Sequence, residues 1–115
     1  MWTKNAALLV VVVSRKNFEY NEKYSITHQF NAGAAWENIA LEASSRGLLA
    51  HRMQGFDYEK SRMDLEIPDN FDFMAMIAIG KKGPKENLPL ELQNKEFPND
   101  RKSLNEIVME GTFRK

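Results

Sequence analysis

THQFNAGAAWENIALEASSRG, residues Thr27 to Gly47, is the stretch whose reading decides the fold. Ala32, Trp36, Ile39, Ala40, Ala43 and Gly47 recur at helical spacing on one side, which predicts a long helix. Ala34, Ala35 and Leu41 carry the small or apolar surface well past a single stripe. Only Glu37, Asn38, Glu42, Ser44 and Ser45 want water or a polar partner. A helix apolar over most of its circumference is normally buried on more than one side. Gly33, Ala34, Ala35 and Ala40 are small enough to let another element come close. Gly47 suits the left-handed residue after a helix, and Arg46 suits the negative end of its dipole. At the other end Ser25, Thr27 and Asn31 are all candidate caps.

Upstream of the helix, AALLVVVVS (Ala6 to Ser14) is a continuous β-branched apolar run, the pattern of a strand buried on both faces. Arg15 to Ser25 is polar with interspersed aromatics and reads as a loop. Downstream, Leu48 to Met53 reads as a short strand. Gln54 to Asp57 reads as a turn in which Gly55 is free to adopt positive φ. Asp57 to Ile67 reads as a short helix capped by Asp57 and ended by Pro68. A second buried strand is expected over Phe71 to Ile79. Lys81 to Asp100 reads as a surface excursion with helical turns near Pro89 to Gln93. Arg101 to Lys115 closes the chain with a short amphipathic turn and a tail. There is no internal repeat and no low-complexity tract.

Composition bounds the function classes. A chain of 115 residues is one domain of ordinary size. The 16 Lys and Arg balance the 16 Asp and Glu, so there is no general electrostatic pull toward nucleic acid or anionic membrane. With no cysteine, disulfides and thiolate chemistry are excluded, which fits a reducing compartment. The longest apolar run, Ala6 to Val13, falls far short of the roughly 20 residues that span a bilayer. No small-residue cleavage site follows it, so a cytoplasmic protein is expected.

These elements pose a physical problem. One helix cannot cover both faces of a sheet and be covered itself. The sequence therefore implies a partner: a second copy, another chain or a further N-terminal half.

The segments, taken in order, resemble the FMN-dependent nitroreductases. Trp2, Asn5 and Ala6 precede the apolar strand. His28, Phe30, Gly33, Ala34, Ala35, Trp36, Asn38, Ala40 and Leu41 lead into the long helix. Met53, Gly55, Phe56 and Asp57 form M-x-G-F-D, Ala75 to Gly80 form A-x-I-A-I-G, and Asp100 to Phe113 form D-R-K-x-L-x-E-I-V-x-E-G-x-F. No one motif is specific, but their order and spacing together are. The resemblance covers nearly the whole chain but only the C-terminal half or so of the family's domain. The family's Arg-rich N-terminal flavin-binding motif has no counterpart here.

The resemblance implies a three-layer α+β fold across residues 1–115, present here in part, with a small antiparallel sheet and a long central dimerisation helix, and an obligate homodimer through the helix around Gly33 to Gly47. It implies FMN at the interface, with hydride passing from NAD(P)H through flavin N5 to a nitroaromatic or quinone-like acceptor. Gln54 and Gly55 match the turn that presents backbone N–H groups to the flavin ring. Arg101 matches the C-terminal basic residue that pairs with the FMN phosphate, with Lys102 beside it. Asn99 stands where some members carry a second basic residue. No catalytic side chain is expected, since the flavin carries the chemistry. The rival expectation is a truncated, non-catalytic dimerisation module that has lost flavin.

Plainer readings accompany these. Arg101-Lys102 alone is a solvated basic pair and Gln54-Gly55 alone a turn. His28 and His51 lie far apart, with no carboxylate at ligand spacing, so no metal site is expected. Trp36, Met53, Met63, Met74 and Met76 read as core. KKGPKEN is a solvated loop rather than a nucleic-acid patch, because acidic residues follow at once.

Overall fold

The computed structural model of the protein describes residues 2–113. The last two residues of the expected tail, Arg114 and Lys115, lie outside the described residues. The chain divides into two compact units, Met1–Lys82 and Gly83–Lys115.

In the first unit a 3-10 turn, Trp2–Asn5, leads into strand β1, Leu8–Arg15. The strand starts later than the apolar run because the Ala6 amide is drawn back to the Thr3 carbonyl at 3.1 Å. Helix α1 spans His28–Ser45, strand β2 Leu49–Met53, helix α2 Tyr58–Asp64 and strand β3 Phe71–Gly80. The sheet is antiparallel with order β1-β3-β2, so β3 is central. Along β1 and β3 the register runs from Leu8 opposite Ile79 to Val12 opposite Ala75, then slips. Val13 lies opposite Phe73, so Met74 is an extra residue in β3, a bulge.

α1 ends as its sequence predicts. Gly47 takes φ +69°, the Leu48 amide donates to the Ala43 carbonyl at 2.8 Å and the Gly47 amide to Ser44 at 3.0 Å. That pair of bonds closes the helix through a left-handed glycine, where a Cβ would be strained. Thr27 occupies the N-cap without a side-chain cap bond. α2 is shorter than the stretch to Ile67. Glu66 enters the left-handed region at φ 51° and turns the chain before Pro68.

Among the described residues the buried apolar set of the first unit is Ala32, Ala43, Ala75, Ile77 and Ala78, and Ile77 is the fully buried large side chain among them. Trp36, Ile39 and Ala40 are half-buried on the same side of α1. The other side is bare: Phe30 is 78% and Leu41 60% exposed, and Ala34 and Ala35 lie open between them. Val10 to Val13 are only half-buried, and Leu8 and Leu9 are exposed. The surface expected to be covered on several sides is thus covered on one within this chain.

The second unit has a 3-10 turn at Lys85–Asn87 and two one-turn helices, α3 (Leu90–Gln93) and α4 (Leu104–Ile107). None of its described residues is buried. Among the described residues no helix is long and apolar enough to cross a membrane.

Candidate functional site

Gln54 and Gly55 leave β2 together in an exposed turn. The Gln54 carbonyl accepts from the Phe56 amide at 3.1 Å and from the Tyr58 hydroxyl at 3.0 Å, which fixes the turn. Gly55 does not use the positive φ that the sequence allows it. Its value lies in the space beside it, since a Cβ built there would meet no atom within 4 Å. Asp57 then caps α2 by accepting from the Lys60 amide at 2.9 Å, as its position predicts.

Aromatic packing braces the turn. Phe56 and Tyr58 stack at 4.1 Å between centroids, and both meet Phe73 edge-on, at 6.2 and 6.0 Å. The Arg62 guanidinium lies 5.0 Å over the Phe73 ring. It also donates to the carbonyls of Ile67 (3.0 Å), Pro68 (2.7 Å) and Phe71 (2.9 Å). Arg62 is therefore spent on holding the Ile67–Phe71 connection. An open cleft of about 520 Å³ lies alongside, lined by Gln29, Tyr58, Arg62, Asp72 and Phe73 among others.

Arg101 and Lys102 lie together in the second unit, in the exposed stretch before α4. The Arg101 guanidinium donates to the Asn99 carbonyl at 3.2 Å and to the Asn99 side-chain oxygen. Both acceptors are neutral, so these bonds aim the guanidinium without cancelling its charge. α4 follows behind Ser103, whose amide (3.0 Å) and hydroxyl (2.7 Å) both donate to Glu106 Oε2. The Ser103 hydroxyl bond, and then its amide bond, hold the Glu106 carboxyl below the usual carboxylate range.

A buried polar network escaped the sequence reading. Ser14 Oγ lies 2.9 Å from His28 Nδ1 and 2.6 Å from the His28 carbonyl. Tyr24 Oη lies 3.3 Å from His28 Nε2 and Asp72 Oδ2 3.9 Å from it, while Lys16 Nζ reaches the other Asp72 oxygen at 3.7 Å. Ser14, Ser25 and His28 line a second cavity of about 350 Å³ with Arg15, Glu19 and Asn31. The only local signal was Tyr24 four residues before His28; the other partners come from different strands. The Ser14 hydroxyl is buried and turned to a carbonyl, so the cluster is not a nucleophile with its base.

Comparison with known proteins gives this geometry its context. The family described as "Nitroreductase family" matches residues 1–81. An uncharacterised 15.4 kDa protein in the ask 5′ region of Mycolicibacterium smegmatis is 30% identical over 109 residues, covering 94% of this chain and 71% of that protein. A solved structure described as an oxidoreductase containing FMN is 40% identical with a TM-score of 0.91, covering 98% of this chain and 59% of that one. A Bacillus subtilis protein named as the nitroreductase ydfN is 30% identical with a TM-score of 0.57, covering 73% of this chain and 37% of that one. The chain thus spans 59% and 37% of the lengths of these two solved relatives.

Proposed function

The chain belongs to the nitroreductase family, and from that premise we propose that it contributes to an FMN-dependent oxidoreductase that works as a homodimer in the cytoplasm. The observation that carries this reading is the 40% identity to an FMN-containing oxidoreductase across 98% of the chain. When bound, FMN would supply the ring that takes hydride from NAD(P)H and passes it to a nitroaromatic or quinone-like acceptor.

The chain's own residues fit parts of that group. The open space beside Gly55 admits a flat ring close to the backbone of the Gln54-Gly55 turn, and a backbone donor there would favour a reduced ring nitrogen. The Asn99-aimed guanidinium of Arg101 suits a phosphate dianion through charge-assisted bonds, and Lys102 adds charge beside it. The uncovered side of α1, with Phe30, Ala34, Ala35 and Leu41, is the face offered to a second copy around Gly33 to Gly47.

Two measurements test the reading. Protein purified with FMN should be yellow and should oxidise NAD(P)H. Leu41→Glu, which puts a charge on the bare side of α1, should leave a monomer by light scattering, because burying an unpaired charge is prohibitive. A non-catalytic dimerisation module would stay colourless with added FMN and still lose its dimer on Leu41→Glu.

A further inference from the structure

We infer that Tyr24 is a surface hydrogen-bond site whose polarity is set by a proton on the buried His28. His28 is only 4% exposed, whereas the side chain that touches its outer nitrogen, Tyr24, is 62% exposed. The network can be solved proton by proton. A carbonyl only accepts, so the single Ser14 proton is committed to the His28 carbonyl at 2.6 Å. Ser14 Oγ can then only accept from His28 Nδ1 at 2.9 Å, and Nδ1 therefore carries a hydrogen. This fixes the ring in the Nδ1–H tautomer and leaves Nε2 as the atom that gains or loses a proton.

Nε2 faces the Tyr24 hydroxyl at 3.3 Å. While the ring is neutral, Tyr24 donates inward and turns its lone pairs to solvent. Once Nε2 is protonated, Tyr24 accepts from it and its own O–H points outward. The counter-charge is in place, with the Asp72 carboxylate 3.9 Å from Nε2 and Lys16 on its other oxygen. Arg15 and Glu19 line the same cavity, and the Arg15 guanidinium pairs with Glu22 at 2.7 Å and with Glu19 at 3.6 Å. His28 keeps a hydrogen-bond partner on each ring nitrogen in both states, so it need not leave its pocket to change charge. With Nε2 bare, Tyr24 offers an acceptor to a bound donor. With Nε2 protonated, it offers a donor to a carbonyl, nitro or carboxylate oxygen. The inference stands independently of flavin.

The test is nitrogen NMR on the full chain labelled in histidine. At alkaline pH the His28 signals should show a protonated Nδ1 and a bare Nε2, and acidification should add the second proton at Nε2. Tyr24→Phe, at an exposed position, should move the Nε2 resonance of the neutral ring toward that of an unbonded nitrogen and leave Nδ1 in place. A neutral ring protonated at Nε2, or an Nε2 signal indifferent to Tyr24→Phe, would overturn the assignment.

Discussion

Within Met1–Lys82 the order is long-range: β3 holds β1 and β2 in register, and α1 lays Ala32 and Ala43 into the same buried set as Ala75, Ile77 and Ala78. Within Gly83–Lys115 the bonds join near neighbours. The Leu92 and Gln93 amides donate to the Pro89 carbonyl at 2.8 and 3.0 Å, Gln93 Nε2 donates to the Leu88 carbonyl at 2.7 Å, and Ser103 donates to Glu106. Leu90, Phe97, Leu104 and Phe113 are all exposed there. A core resists change through packing, so its weak points are volumes. A segment built from caps and turns resists through individual bonds, so its weak points are single protons and single polar atoms.

The sharpest way to break this contrast is to hollow the core. Ile77→Ala should cost the first unit about 2–5 kcal/mol, read as a lowered midpoint in urea. A loss well under that range would mean the sheet does not depend on its buried set. Next in size, Arg101→Ala should weaken FMN binding by about 1.5–3 kcal/mol, measured by flavin fluorescence titration. An unchanged affinity would reduce Arg101-Lys102 to a solvated pair. Asp57→Ala should cost about 1 kcal/mol and speed amide exchange at Lys60, since it removes the cap bond of α2. The smallest effect is acidic. Because the Glu106 carboxyl is held low in the folded state, its contribution is complete above the ordinary carboxylate range. It is lost as pH falls through the lowered value. Amide exchange at Ser103 should therefore quicken on acidification, and Glu106→Gln should remove that dependence.

The sequence was most legible where one residue type does one job. The period of α1, the left-handed Gly47, the Asp57 cap and the central strand from Phe71 could all be read directly, because each rests on local sterics or on one repeating face. The end of α2 was misread. Nothing in Arg62 to Ile67 announces that Glu66 will take positive φ, or that Arg62 will gather three carbonyls from the connection that follows. Gly55 was legible as a turn but not in its conformation, since glycine permits positive φ without requiring it. The His28 network was invisible for a different reason. Its members come from β1, the loop after it, α1 and β3, so no spacing links them, and histidine read alone suggested only a metal question.

The bulge in β3 has a chemical outcome. Had the pairing of Val12 with Ala75 continued without a slip, Ser14 would face Phe73 and Arg15 would face Asp72. Inserting Met74 advances the strand by one step, so Ser14 faces Asp72 instead. That phase shift trades a phenyl ring for a carboxylate beside the imidazole. A one-residue insertion in the middle strand thus decides whether His28 sits in an oily niche or next to an acid.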